Sequence, residues 1–296
     1  MILCRPLLFL ATLAALCRAQ EGPPAYDVQL HWEPGQFYLQ ESDTDTTTFL
    51  TALGKKHDQR LRMRQTTSIV VTPAADGSRE VRVSIDALRG ELIQDGLLNP
   101  FDSARIEEAL PVLQKSIGRA AGKSFTLVYD AGGRFQSIRD IQSLLKPGTQ
   151  EPGLNEIADA RQIVTLYRRS LELGLPKIPV RPGDKWISDE MLIFAEAGPV
   201  QVHLQAKFDG LEEREGRQQA KVSYEGTMET LKETGTKRSI TLGPGSKVTG
   251  SLLFDLERRT ISFSTLSAAL NLAVEGKKLP VRQQVTTRLV AMKQMR

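Results

Sequence analysis

Apolar residues recur at every second position over long stretches of this chain. From Val200 to Phe208, Val200, Val202, Leu204, Ala206 and Phe208 share one parity; Gln201, His203, Gln205 and Lys207 share the other. Side chains on a strand alternate between faces, so this pattern predicts a half-buried strand. After Glu215-Gly216 the alternation resumes with Ala220, Val222, Tyr224 and Met228, which predicts a hairpin. Leu61, Met63, Ile69 and Val71 alternate in the same way with Arg60, Arg62, Arg64 and Ser68. Asp76-Gly77 then turns the chain, and Val81, Val83 and Ile85 carry it back, a strong hairpin signal. Phe125, Leu127 and Tyr129 alternate, Gly132-Gly133 turns, and Phe135 begins a return. In the last third, Val248, Leu252 and Phe254 lead to a turn near Glu257-Arg258. Ile261 and Phe263 follow, and then the apolar parity changes to Leu266, Ala268, Leu270, Leu272 and Val274. That change predicts a β-bulge near Ser264-Thr265. A final run holds Val285, Leu289 and Ala291.

Two stretches carry helical spacing instead. Asp102 or Ser103 caps a helix bearing Ile106, Leu110, Leu113 and Ile117, which Pro111 kinks or splits. A longer helix is predicted from about Leu154 to Leu173, where Ile157, Ala160, Val164, Tyr167 and Leu171 form one stripe; Gly174 and Pro176 end it. The expected fold class is α+β, predominantly antiparallel β. Long strands twist strongly, so their sheet curls into a half-barrel, with the two helical segments packed on one face. Pro34-Gly35-Gln36-Phe37-Tyr38 and Pro182-Gly183-Asp184-Lys185-Trp186 open two similar stretches. Residues 20–296 are therefore read as a single β-rich domain of two pseudo-repeat halves, about 26–95 and 180–296. A helix-bearing middle segment, about 100–175, joins them.

The first 19 residues read as a signal peptide. Arg5 precedes an apolar run from Leu7 to Leu16, too short for the roughly 20 residues that cross a bilayer. Cys17-Arg18-Ala19 fits a small-x-small cleavage site, which places the cut between Ala19 and Gln20. A rival reading keeps Cys17 as a lipidated first residue; the bulky Leu16 before it argues against that. Cys4 and Cys17 are the chain's two cysteines, so the mature protein has no disulfide, thiolate metal site or cysteine nucleophile. Arg5 and Arg18 also leave with the leader, so 37 basic residues face 35 acidic ones. A near-balanced charge gives no reason to expect nucleic acid as a partner. No later apolar run reaches spanning length. The location expected is outside the cytoplasm, periplasmic or extracellular.

The candidate chemistry is thin. Gly118-Arg119-Ala120-Ala121-Gly122-Lys123-Ser124 resembles a phosphate loop but has three residues between its glycines instead of four. It also follows a helix and enters a strand, the reverse of the required order, so it reads as a connector. His31, His57 and His203 have no metal-ligand spacing, and neither H-E-x-x-H nor G-x-S-x-G occurs. Glu107-Glu108, Asp189-Glu190 and Glu212-Glu213 are carboxylate pairs that sequence cannot place in one cleft. Asp43 and Asp45 lie in a threonine-rich stretch that reads more as a loop than as a calcium site. Arg60, Arg62 and Arg64 form a row on one strand face, read as a solvated or charge-blunted edge, with contact to anionic head groups or polysaccharide as the functional reading. Trp186, after the Pro182-Gly183-Asp184 turn, reads as a structural latch, with Asp184 bonding turn amides. No catalytic, cofactor, metal or ligand-binding residue is assigned.

Val180-Arg181-Pro182-Gly183-Asp184-Lys185-Trp186 resembles the V-x-x-G-D-x-W signature of an uncharacterised family of exported bacterial proteins. Gly243-Pro244-Gly245 matches a late G-x-G run of that family, and the stretch Gly250 to Asp255 is similar as well. No functional residue is carried over from it. In layout the chain is similar to the LolA/LppX-type fold, a curled antiparallel sheet with helices over its concave side, which implies room for acyl chains. The expected function is that of an exported, non-enzymatic binding or carrier protein of the cell envelope, for lipid or lipoprotein acyl chains. The alternative is a structural or interaction protein of the envelope with a filled core. A lipid or an envelope protein is the expected partner; no cofactor is expected, and the sequence leaves the oligomeric state open.

Overall fold

A computed structural model describes residues 23–140, 172–194, 198–230, 240–274 and 276–295. The expected leader with its Ala19/Gln20 junction lies outside the described residues, as does nearly all of the helix expected between Leu154 and Leu173. Thirteen strands form one antiparallel sheet. β1 (Gln36–Thr48), β2 (Gln59–Pro73) and β3 (Arg79–Gln94) make a meander. β4 (Leu97–Asp102) folds back on the second half of β3, and β5 (Ser124–Tyr129) pairs with its first half. β6 (Phe135–Arg139) then forms one edge. The chain reappears at the opposite edge as β7 (Lys185–Phe194) and returns through β8 (Gly198–Arg214) and β9 (Arg217–Thr230). β10 (Ile240–Leu242) pairs with β12. β11 (Lys247–Asp255), β12 (Thr260–Val274) and β13 (Lys277–Gln294) complete the return, and β13 pairs with β1. The order across the sheet is β6-β5-β3-β2-β1-β13-β12-β11-β9-β8-β7. Both ends of the described chain thus meet in the middle.

The hairpins expected from alternation are present, β2–β3 and β8–β9 among them. The helical stretch after Asp102 is split, as its proline demands. Asp102 accepts from the Ala104 amide at 2.9 Å and caps a 3₁₀ segment, Ser103–Glu108; α1 (Pro111–Ala120) starts afresh with Pro111 in its first turn. It leads directly into β5, so Gly118–Ser124 is the connector expected of it. Among the described residues helices are minor, and the α+β expectation reduces to a large antiparallel sheet with short helical pieces.

Three expectations need correction. The threonine-rich stretch holding Asp43 and Asp45 is not a loop but β1, at the centre of the sheet. Threonine is β-branched and suits a pleated strand, a preference that low hydrophobicity concealed. The bulge expected near Ser264-Thr265 sits at Ser262, between the pairs Leu253–Phe263 and Phe254–Ile261. Phe263 therefore turns to the face opposite Ile261, with the Arg214 guanidinium 5.1 Å from its ring centre. A further bulge at Val290 likewise removes Ala291 from the face that holds Val285 and Leu289.

These bulges, with others at Asp86, Gln136 and Asp209, bend and twist the strands locally. Close approach adds to the curl at Gly250, which pairs with Tyr224 on one side and Leu266 on the other. A Cβ on Gly250 would overlap the Thr265 carbonyl oxygen and the Tyr224 hydroxyl. Only glycine lets β11 pass so near β12.

Candidate functional site

One sheet face, the inner one, collects the apolar residues into three clusters. The first lies on β8, β9, β11 and β12 and includes Leu204, Phe208, Val222, Leu252, Phe254 and Leu270. The second lies at the opposite side, with Tyr38, Ile69, Val83 and Leu127. The third joins Leu88, Leu92 and Phe101 to Ala109 and Leu113 of the helical segment. An extended strap, residues 23–34, runs over one end of this face. It is held by the reciprocal Tyr26–Val180 amide bonds (2.7 and 2.9 Å) and by His31 N donating to Arg259 O at 3.1 Å. Arg259 also pairs with Asp27 at 2.6 Å. Val28 seals the first cluster and Trp32 the second, where its ring meets Tyr38 edge-on at 5.4 Å. Burial pushes the Tyr38 hydroxyl pKa up to about 12, and raises that of Tyr224.

Between the clusters the inner face changes character. Register places Leu88, Gln65, Ser42, Thr287, Ser264 and Leu252 in one rung from β3 to β11. The next rung reads Met63, Thr44, Val285, Leu266. Gln40, Ser42, Thr44, Met63, Gln65, Thr287, Val285, Ser264 and Leu266 are only half-buried. Several of the polar groups satisfy one another: Ser42 and Thr287 hydroxyls lie 2.8 Å apart, and Gln283 Nε2 donates to Thr46 Oγ1 at 3.2 Å. The middle of the inner face is thus a hydroxyl-lined band between two apolar slopes.

The outer face is polar. The row Arg60, Arg62, Arg64 is there, and the register sets Asp45 and Asp43 of β1 against it. Arg60 donates to both Asp45 oxygens at 2.8 and 2.5 Å, Arg62 to Glu91 at 2.9 Å, and Arg64 to Asp43 at 2.6 Å. Arg288 of β13 reaches Asp43 at 2.5 Å. The Arg64 hydrogen bond holds the Asp43 carboxyl below the usual carboxylate range, with Arg288 adding to it; Arg60 does the same for Asp45. A cavity of about 820 Å³ lies over this ladder, rimmed by Arg89, Asp102, Arg105 and Glu108. Its row of guanidinium groups is answered by carboxylates on neighbouring strands, so the solvated reading of the arginines holds better than the anion-binding one.

The three histidines lie apart. His31 sits on the strap 3.3 Å from Glu33, and burial lowers its pKa, Arg79 and Arg259 contributing. His57 stands beside Gly96. His203 lies on the outer face with Nδ1 at 2.6 Å from Asp189 and Nε2 at 3.4 Å from Glu229, which raise its pKa. The carboxylate pairs are dispersed: Asp189 points outward while Glu190 bonds Ser188, and Glu212 lies 3.8 Å from Lys221. No cluster fit to hold a metal ion occurs among the described residues. Trp186 packs against the first cluster, and Asp184 Oδ2 accepts from the Arg181 amide at 2.7 Å, the latch expected of that turn.

No family model matches this chain, and no curated protein does; the resemblance through Val180–Trp186 rests on those residues alone. Among solved structures, lipovitellin aligns over 90% of this chain at 10% identity, with a TM-score of 0.53. That structure concerns the lipid–protein interactions of lipovitellin, and this chain spans about a quarter of its length (26%). An exported-type protein of YmcC-like fold from Bacteroides fragilis aligns over 91% of this chain and all of its own, at 12% identity and a TM-score of 0.29. A lipoprotein-type chain from Parabacteroides distasonis gives 91%, 100%, 11% and 0.31 in the same terms. The first likeness speaks for the fold, and at its identity for the fold alone; the other two carry no argument.

Sequence reasoning missed the inner hydroxyl band, because it runs across strands. Its one local trace is the serine and threonine alternation of β1 at Ser42, Thr44 and Thr46.

Proposed function

We propose that this is an exported, non-enzymatic protein that binds lipid on the inner face of its curled sheet. Acyl chains would lie on the apolar slopes, and the polar linkage of the lipid over the hydroxyl band. The observation that carries this reading is the half-buried middle of the inner face. Met63, Leu266 and Val285 stay partly open there beside Ser42, Thr44 and Thr287, although the core to either side is sealed. A sheet interior of this size filled for stability alone has no use for an unsealed polar centre. The fold shared with part of lipovitellin, a protein solved with its lipid interactions in view, supports the same reading. Export rests on the leader ending at Ala19. The non-enzymatic part is supported by the scatter of histidines and carboxylate pairs over the described residues.

A second reading, an envelope protein with a filled interior, has one observation in its favour. The cavities over β1–β4 and over β7–β9 both open on the outer face. Native mass spectrometry after gentle purification separates the two, together with uptake of a fluorescent fatty acid. Lipid binding predicts reproducible adducts and saturable uptake that Leu266→Gln weakens. Bare protein with no uptake overturns it and leaves the filled-core reading.

A further inference from the structure

A second cavity, of about 580 Å³, lies on the outer face of β7, β8, β9 and β11, far across the sheet from the arginine row. It falls within the usual range for small-ligand sites. Two rungs line it. In one, Lys185 of β7 stands directly opposite Lys207 of β8, with Ser223 of β9 next. In the other, Ile187 is followed by Gln205, Glu225 and Thr249. Trp186, Ala206 and Tyr224, the residues between the rungs, also line it and pack in the first cluster of the inner face.

Two features of this block run against what a plain solvated face needs. Like charges directly opposite one another destabilise a strand pair. Lys207 is answered by Asp209 at 3.1 Å, but Lys185 makes no ion pair among the described residues. Beside it, Ile187 leaves 76% of its surface open, the most of any large apolar residue described. Two facing ammonium groups with one carboxylate between them, next to an exposed aliphatic side chain inside one concavity, are complementary to a molecule with an anionic head and an apolar tail.

We propose that this outer concavity binds a single-chain anionic amphiphile, with its phosphate or carboxylate head between Lys185 and Lys207 and its chain over Ile187. Glu225, in the same rung as Ile187, repels the head from that end and sets the ligand's direction. The site is separate from the inner face and does not depend on it.

The test is isothermal titration of the full chain with octyl phosphate, with octanol and inorganic phosphate as half-ligands. Octyl phosphate binds, and each half-ligand binds at least tenfold more weakly. Lys185→Met weakens octyl phosphate by about three- to fivefold, the scale of one half-exposed ion pair. Ile187→Ser weakens it by about tenfold, the scale of one aliphatic side chain newly buried. Both residues are exposed, so both variants keep the wild-type circular dichroism spectrum. No octyl phosphate binding, or binding that neither variant changes, overturns the proposal. Fluorescent fatty-acid uptake that Leu266→Gln weakens and Lys185→Met and Ile187→Ser leave unchanged reports on the inner face. Uptake without octyl phosphate binding sinks the outer site alone, and the reverse result sinks the inner-face reading alone.

Discussion

Replacing Gly250 with alanine probes what makes the sheet curl. Gly250 lies in the interior of β11, where alanine is ordinarily preferred by about 0.5–1 kcal/mol. Here the added methyl overlaps the Thr265 carbonyl oxygen on β12 and the Tyr224 hydroxyl on β9. The first is main chain and cannot swing aside, so the strands must separate, an overpacking cost of about 1–3 kcal/mol. Moving the tyrosine breaks the bond its hydroxyl donates to Thr265 O at 3.2 Å, about 1 kcal/mol more. Tyr224 has little room to retreat, since the other side of its ring lies against Gly174. The terms that oppose the change exceed the one that favours it, and Gly250→Ala is expected to destabilise by about 1–3 kcal/mol.

Urea unfolding followed by the fluorescence of Trp32 and Trp186 measures this as a fall in midpoint at unchanged slope. Tyr224→Phe in the same background removes the hydroxyl overlap but leaves the ring carbon Cζ 2.5 Å from the added methyl. The double variant should therefore recover at most about 1 kcal/mol relative to additivity, while the carbonyl and ring-carbon overlaps keep it below wild type. Gly132→Ala, in an exposed turn without left-handed backbone, serves as the control and stays within about 0.5 kcal/mol. A Gly250→Ala protein as stable as wild type would show that β11 and β12 can part freely, and the argument for glycine-built curvature would fail.

Trp32→Ala removes the aromatic that seals the second cluster from the strap, and should cost about 3–5 kcal/mol in the same assay; a loss under about 1 kcal/mol would mean that the strap is not part of the core. His203, with a folded pKa raised first by Asp189 and then by Glu229, should titrate by NMR above the ordinary histidine value, and Asp189→Asn should bring the midpoint down. Its contribution to holding edge strand β7 is complete below the unfolded value near ~6.5 and fades as pH rises through the folded one; a midpoint at or below the ordinary value contradicts the clamp. Asp43, its pKa depressed by Arg64 and Arg288, contributes the other way: fully above the unfolded carboxylate value, and less as pH falls through the folded one. Asp43→Asn should cost at most about 1 kcal/mol at neutral pH and nothing at pH 2, because the pair is half-exposed. Equal costs at both pH values would remove charge from the explanation.

Local pairing was legible and long-range register was not. Val200–Phe208 and Ala220–Met228 declare their hairpin because both strands alternate and the Glu215-Gly216 turn lies between them. β1 hid because Ser42, Thr44 and Thr46 line an inner face that is itself polar, so its alternation sets polar against polar. Ser262 was misplaced by two positions for a related reason: Ser262, Ser264 and Thr265 give no apolar marker from which to count the bulge. The arginine row could be read from β2 alone, but not its neutralisation. That depends on which residues of β1 and β3 the register sets opposite, and Asp43, Asp45 and Glu91 are fixed only by tertiary pairing.

The β1–β13 seam joins the ends of the described chain, and yet the middle of its inner surface is polar. Gln36 and Gln294 bond across 258 residues of sequence, so closing this pair costs more loop entropy than closing any adjacent hairpin. Large buried side chains would be the ordinary compensation, and β8–β9 has them in Leu204, Phe208 and Val222. The seam instead sets Ser42 against Thr287, and Thr46 against Gln283. Its outer ion pairs at Asp43 and Arg288 are half-exposed and stabilise little. Stability therefore gives no reason for the polar rungs. Local departures from good core design are expected where a protein does something other than fold. A hydroxyl band at the hardest pairing to close, held between sealed apolar slopes, is such a departure, and it is the strongest reason to place lipid on the inner face.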